Sequence, residues 1–420
     1  MAGGSARLVK SLEAARSEVL HTVPVLDPAP VSIWEAAGRV LASDVIAEEN
    51  VPPFQNSAMD GYAVLAHDVS EPGAVLEVIG DLAAGFVAGS RVGRGQALKI
   101  MTGAPMPEGA DTVVRIEDTD GGSEQVTVGP VVAVGTSVRA AGGDVAAGSL
   151  VFEAGTRLTP MHVGVLATIG VSSPLVSRRP RVAFMSTGDE LTPPGDGPLA
   201  PGMIRDSNRP MVKAMLEEAG AELVDLGIIP DNEAALSAAL EAGSSADAIV
   251  STGGVSMGDY DVTKKVLEGS ASVGFWQVAI QPAKPFAFGK VGEALFFGLP
   301  GNPVSVLVSF EQFLRPALLK MQGARAILRE QAQAVAGERM GTDPEKTVFV
   351  RVRISGPGGA PDCRVLRRPV LECAFGGGCG RRLCAGAERD LSGGGRGGRS
   401  HREVQGPRDE GVDRWNLNPS

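Results

Sequence analysis

Three short runs of the sequence combine glycines with side chains at spacings suited to binding a ligand. Ser186-Thr187-Gly188-Asp189-Glu190 follows the apolar run RVAFM. Ser251-Thr252-Gly253-Gly254-Val255-Ser256-Met257-Gly258-Asp259-Tyr260-Asp261 follows DAIV. Leu299-Pro300-Gly301-Asn302-Pro303-Val304-Ser305 follows ALFFG. Glycine lets the backbone approach a ligand closely, and successive N–H groups can form an anion nest. A helix N-terminus adds free donors and partial positive charge. Two such turns beside an acidic one suit a phosphorylated or nucleotide-like ligand held with a divalent cation. Asp259 and Asp261, with Ser256, offer hard oxygens for that cation. The plainer alternative for the glycines is a tight turn. For the acids it is capping, with Asp261 as the N-cap of DVTKKVLEG. Asp189 and Glu190 carry the same two readings. Lys284 lies between prolines in QPAKPF, which suits either a fixed anion contact or an ordinary surface lysine. Asp60, before Gly61 in SAMDGYA, reads most simply as a β-turn aspartate.

These residues need a scaffold. From about 180 to 325, apolar strand-like runs alternate with helix-like ones. RVAFMST, AELVDLGII, DAIVST, GFWQVAI, KPFAFGK and ALFFGLP predict strands. NRPMVKAMLEEAG, NEAALSAALEAG, DVTKKVLEG and NPVSVLVSFEQFLRPALLK predict helices, with Asn208 as the N-cap of the first. Such alternation predicts a doubly wound, mostly parallel sheet, whose ligands sit beyond the carboxyl ends of its strands. Upstream, Leu8, Leu12, Ala15 and Val19 predict an amphipathic helix, and residues 31–45 predict a second one starting after Ser32. Residues 70–160 hold short Val-rich strands punctuated by glycine, which predicts a β-rich module. TVFVRVRIS, within 328–358, predicts the start of a small β-domain. The fold class is therefore α/β plus β-rich modules in a multidomain chain. The expected units are 1–50 with 145–178, 51–144, 179–326, 327–360 and a tail, 361–420.

Composition sets outer limits. The chain has 420 residues, 43% of them hydrophobic and only 4% aromatic, so its cores rest on Ala, Val, Leu and Ile. The net charge of −10 argues against a general nucleic-acid coat, which needs a cationic surface. No apolar run is long enough for a membrane span, and the start lacks a secretory leader, so the expected compartment is the cytoplasm. The cysteines Cys363, Cys373, Cys379 and Cys384 all lie in the tail, without the paired spacing of a zinc site. No GxSxG elbow occurs, and no histidine stands at metal spacing from another histidine or a cysteine. The tail has eleven Arg and twelve Gly but no Lys or Ile. Two readings fit it: a disordered Gly/Arg-rich extension, or translation in a shifted frame of GC-rich DNA.

Singly these motifs are weak, but their order is specific. EAAGRVLASDV, PPFQNSAMDGYAV, MTGAPMPEGADTVVRIEDT, AAGGDVAAG, STGDEL, IRDSN, STGGVSMGDYDVTKKVLE, QPAKPFAFG and FGLPGNPVSVLVSFEQFLRPAL follow one another between about 8 and 356. The series resembles the molybdopterin molybdenumtransferase family (MoeA and the gephyrin E domain). The resemblance implies an elongated homodimer with a molybdopterin-binding α/β domain. It implies insertion of molybdate into adenylylated molybdopterin with release of AMP, assisted by Mg²⁺. By the same resemblance, Asp261, Ser256, Glu190, Asp60 and Thr102 serve the reaction, with Asp60 and Thr102 completing the cleft across the dimer. Thr187, Gly188, Asp189, Gly253, Gly254, Pro300, Gly301 and Asn302 receive the phosphate and pterin. Lys284, Ser305 and Arg351 match the molybdate pocket, and Asp261 and Asp259 the metal position. Contacts with the adenylyltransferase and with cofactor-accepting enzymes follow as further expectations.

The chain departs from the family pattern at several points. Gln277 and Gln281 stand where some members carry lysine, and Ala283 replaces a glycine, which lowers the local positive charge. The tail shows neither an evident Ser-bearing glycine-rich segment nor a closing strand, which would leave the molybdate pocket short of a wall. Two rival functions follow: a molybdopterin adenylyltransferase-like relative, and a molybdopterin binder that has lost insertion. An adenylyltransferase would lack SAMDGYA and the N-terminal modules.

Overall fold

A computed structural model of the chain describes residues 9–254, 265–267, 272–331, 335–336, 339–341, 343–355, 362–365 and 384–387. The largest element is a seven-stranded sheet. In chain order its strands are β1 (Val9–Lys10), β2 (Arg181–Thr187), β3 (Glu222–Ile229), β4 (Ala248–Thr252), β5 (Ser272–Val278), β6 (Pro285–Val291) and β7 (Ala294–Leu299). Their spatial order is β1-β5-β6-β7-β4-β2-β3. β7, β4, β2 and β3 run parallel to one another, whereas β5, β6 and β7 pair antiparallel. β4 and β7 are buried at every residue, and β2 at every residue but Arg181. Unbroken apolar runs of this kind need cover on both faces, which explains why these segments lack a period-two alternation.

Helices supply that cover. α1 (Leu12–Thr22), α2 (Asn208–Glu218), α4 (Pro303–Ser309) and α5 (Arg315–Met321) bury Leu12, Ala15, Val19, Val212, Leu216, Val306 and Leu318 against one face. α3 (Glu233–Gly243) buries Leu236, Ala239 and Leu240 against the other. α4 and α5 are joined without a break by one wider turn, Phe310–Leu314, and Phe313 there stacks on Phe286 at 4.4 Å between ring centroids. Polar caps fix the starts. Ser11 accepts from the Ala14 N–H, Asn232 from that of Ala235, and Asn302 from those of Val304 and Ser305. The helix expected over DVTKKVLEG lies outside the described residues, apart from 265–267.

The N-terminal residues belong to this layer. β1 pairs parallel with β5 at the sheet edge, and α1 packs into the same core as α2 and α4. The helix expected over 31–45 does not form. Ser32 caps only a single 3₁₀ turn, Ile33–Glu35, and Gly38 then takes φ +78°. Val40 and Leu41 instead bridge to Arg157 and Val176. The apolar spacing of this stretch still fills a core, with Ala36, Leu41 and Val45 packed on Leu158, Leu166 and Val176. A helix that was not expected, Pro160–Thr168, contributes Leu166, and Thr159 with His162 forms a reciprocal cap at its start.

The β-rich module is a five-stranded sheet ordered 112–115, 61–64, 96–100, 74–82, 125–128. Further on, Thr347–Ser355 pairs with Ile280–Gln281, Asp362–Val365 and Cys384–Ala387. No closing strand was expected in 361–420, yet Asp362–Val365 and Cys384–Ala387 both pair with Thr347–Ser355; the remaining residues of that tail lie outside the described residues. No helix among the described residues is long and apolar enough to cross a membrane.

Candidate functional site

The site begins at a change of direction. From β2 the chain crosses one face through α2 to β3, then returns over the other face through α3 to β4, on the far side of β2. The connections therefore part between β2 and β4. At such a point, open α/β sheets form a crevice beyond the carboxyl ends of the strands, where they bind ligands. The three glycine-bearing turns follow β2, β4 and β7, which are neighbours in the sheet.

Contacts tie these turns together. The Gly253 N–H donates to the Leu299 carbonyl at 3.1 Å, and the Thr187 hydroxyl donates to the Thr252 carbonyl at 3.3 Å. Gly253 has φ +89°, and a Cβ there would lie 2.6 Å from the Thr187 carbonyl oxygen. On its other side, a Cβ on Gly301 would lie 3.8 Å from the Gly253 Cα. Thr187 and Gly301 thus both come close to the Gly253 backbone. Gly254 also has positive φ, +64°, and Pro300 is buried beneath the third turn. At Gly188 a Cβ would collide with the Glu190 carboxylate, which folds back over the turn.

Acids gather beside the first turn. Asp189 Oδ1 accepts from the Asp231 N–H at 3.1 Å. The Asp231 carboxyl is pushed up, first by burial and then by the charges of Asp189 and Glu190. Sequence reasoning missed Asp231. The available signal was its place two residues past the end of β3, at the same sheet edge as the other turns. Ser256, Asp259 and Asp261 lie outside the described residues. Among those that are described, no cluster of three His, Cys, Asp or Glu has the arrangement to hold a metal.

The start of α2 closes the crevice from the side. Asn208 is its first helical residue rather than its N-cap. Asp206 Oδ1 accepts from the Arg209 N–H at 3.1 Å and takes the capping role. The Asn208 Nδ2 donates to the Gly301 carbonyl at 2.7 Å, linking α2 to the third turn. Asp206 and Asn208 are 2% and 8% exposed, and each keeps one buried oxygen without a hydrogen-bond partner.

Other predicted residues form two separate groups. Asp60 precedes Gly61, which pairs with Ile100, so Asp60 and Thr102 share one end of the β-module sheet. Asp60 Oδ1 accepts from the Thr102 N–H and hydroxyl, both at 2.7 Å. These bonds hold the Asp60 carboxyl below the usual carboxylate range although it is exposed. Gly61 is required there, since a Cβ would collide with the Val114 carbonyl.

Lys284 is exposed and follows Ala283, whose φ is +78°. Ile280–Gln281 runs parallel to Thr347–Val348, so Lys284 and Arg351 lie a few residues further along adjacent segments. The Arg351 Nη1 is buried without a hydrogen-bond partner. Ser305 is buried in the first turn of α4. Among the described residues, no hydrogen bond joins the Asp60–Thr102 pair to the strand-end turns, or Ser305 to Lys284 or Arg351.

Comparison with known proteins bears on this arrangement. Residues 10–170 match the MoeA N-terminal region (domain I and II), and residues 183–320 match a probable molybdopterin binding domain. A molybdopterin molybdenumtransferase of Haemophilus influenzae is 42% identical over 318 residues, covering 75% of this chain and 78% of the relative. The chain belongs to the molybdopterin molybdenumtransferase family. A second relative, molybdopterin molybdenumtransferase 2 of Mycobacterium tuberculosis, is 38% identical over 354 residues, which is 82% of this chain and 87% of that one. The crystal structure of a molybdopterin biosynthesis MoeA protein from Pyrococcus horikoshii superimposes with a TM-score of 0.73 at 29% identity. That match covers 86% of this chain and 91% of the other. Multidomain α/β architecture with β-rich modules is thus a family property that this chain shares.

Proposed function

We propose that this chain inserts molybdenum from molybdate into adenylylated molybdopterin, releasing AMP and yielding molybdenum cofactor. The observation that carries the reading is the contact of Thr187 and Gly301 with Gly253 across three neighbouring strand ends. It draws three strand-end turns together at the switch point, in a chain 42% identical to a protein named for this transfer. Thr187, Gly188, Gly253, Gly254, Pro300, Gly301 and Asn302 frame the phosphate and pterin. A low-dielectric floor strengthens each N–H contact to an anion. Asp189 and Glu190 border the phosphoryl group.

Mg²⁺ is the proposed metal, held by Asp261 and Asp259 with Ser256 beside it. Their oxygens are of the hard type Mg²⁺ prefers. Asp231, whose carboxyl is pushed up by burial first and by the charges of Asp189 and Glu190 second, lies beside them at the same strand ends. When bound, the cation supplies neutralisation of charge at the phosphoryl oxygens. Lys284, Ser305 and Arg351 are the proposed molybdate contacts. The buried, unpartnered Arg351 Nη1 supports this, because such a donor seeks an oxyanion.

Asp60 and Thr102 are assigned to the reaction across a homodimer. Their neighbours Met59 and Met101 are 46% and 47% exposed, which favours a surface covered by a second copy. Units at 1–50 with 145–178, 51–144, 179–326 and 327–360 remain the proposed division, with residues 9–23 packed on the α/β sheet. Cytoplasmic location and contacts with the adenylyltransferase and cofactor-accepting enzymes complete the proposal.

The test is AMP release from adenylylated molybdopterin with and without molybdate, on this chain and on a version ending near Gly358. Molybdate-dependent release is the expected result. Tight binding without such release would favour a binder that has lost insertion.

A further inference from the structure

We propose that Asn208 is a positioning residue, which aims the Asn302 backbone N–H into the anion site of the crevice. This inference rests on the reading of the crevice as the nucleotide-pterin site. The Gly301–Asn302 peptide is trans, since the only cis bonds among the described residues are Val51–Pro52 and Gln281–Pro282. In a trans peptide the carbonyl and the N–H point in opposite directions. The Asn208 Nδ2 holds the Gly301 carbonyl at 2.7 Å, toward the first turn of α2. The Asn302 N–H must therefore point away from α2, on the exposed side of the turn. No acceptor for that N–H is present among the described residues.

Asn208 is well placed to hold this orientation. It is 8% exposed and sits on a helix whose Val212 and Leu216 are buried in the sheet core. Its amide orientation is settled by chemistry, because only the NH₂ can donate to a carbonyl. The preceding segment is also fixed, with Ile204 and Arg205 pairing to Leu191 and Thr192 beside the first turn. One side chain thereby couples the first and third turns. Without it, the Gly301 carbonyl would lose a buried partner and could rotate toward the crevice. It would then present an oxygen where a donor is needed.

The alternative is that Asn208 only fastens α2 to the turn, with no bearing on the anion. A double-mutant cycle separates the two, using AMP as the probe and calorimetry on the full chain at fixed ionic strength. Asn302 has φ −69° and ψ 127°, so proline fits there and deletes the N–H. Asn302→Ala keeps the N–H and loses only the side-chain cap, so it is the reference for Asn302→Pro.

Asn208→Ala is expected to weaken AMP binding about tenfold, the loss of one hydrogen bond to a charged group. Asn302→Pro should weaken it similarly relative to Asn302→Ala. Adding Asn208→Ala to Asn302→Pro should then change little. Turnover at saturating substrate should stay within about twofold in Asn208→Ala, the loss appearing in KM. Should Asn208→Ala fail to fold, Asn208→Leu keeps the branched shape without the donor or any charge and takes its place. Wild-type AMP affinity in a folded Asn208 variant, or additive losses in the cycle, would overturn the positioning role alone. Failure of the unmodified chain to bind AMP would overturn the crevice reading, and this inference with it.

Discussion

The strand-end crevice and the Asp60–Thr102 corner reach for reactive chemistry by opposite means. The crevice is built from backbone. Its proposed donors are main-chain N–H groups such as that of Asn302, and its shape depends on contacts as close as Gly253 against Thr187. The corner is built from side chains, one exposed carboxylate held by one threonine through its N–H and hydroxyl. In the first region fold and function share the same atoms, whereas in the second they separate. Substitutions in the crevice should therefore damage stability and activity together. Substitutions of the corner's side chains should damage activity far more than stability.

The largest expected effect falls on a proposed metal ligand. Asp261→Asn should abolish AMP release while leaving pterin binding within about tenfold, because metal-assisted charge stabilisation acts mainly on the transition state. Unchanged turnover would remove Asp261 from the reaction. Next, Asp60→Asn should lower molybdate-dependent turnover by about 10–100-fold, with the melting temperature little changed. A large fall in melting temperature would break the contrast between the two regions. Gly253→Ala should cost about 1–3 kcal/mol in urea unfolding, from a positive φ and a clash with the Thr187 carbonyl. It should also weaken AMP binding, and a stable variant with normal binding would count against a backbone-built site.

The smallest effect concerns pH. Thr102→Val removes the hydroxyl donor to Asp60 and keeps the N–H. The Asp60 carboxyl is held low by that N–H first and the hydroxyl second, so it should move up toward its ordinary value of about 3.9. The acid limb of the rate profile should shift to higher pH with it. The stability linked to Asp60 is present above its unfolded pKa and is lost as pH falls through the lowered folded one. Thr102→Val should narrow that window. An unmoved acid limb would mean that Asp60 is not the group titrating there.

The legibility of the two regions in sequence also differed. The α/β layer was plain because its buried strands are unbroken apolar blocks, each ending in a glycine turn, as in AIVST before Gly253. The order of motifs then supplied the family. Residues 31–45 were misread, because Ala36, Leu41 and Val45 fill a core from an irregular chain turned by Gly38. Apolar spacing reports burial, and it reports a helix only when no residue breaks the backbone. Asp231 and the tether from Asn208 to Gly301 depend on strands adjacent in space and distant in sequence. Local patterns carry no such adjacency, and from them Asn208 reads as an ordinary cap.

The edge position of β1 has a consequence during synthesis. Residues 9–23 find their partners in segments from 212 to 321, so nearly three hundred residues must leave the ribosome before this piece can dock. At typical elongation rates that delay is roughly 15–60 s. Until then Leu12, Ala15 and Val19 have no complete core to enter. The nascent chain thus carries a sticky leading segment for most of its own translation, and that interval is where a chaperone would have the most to hold.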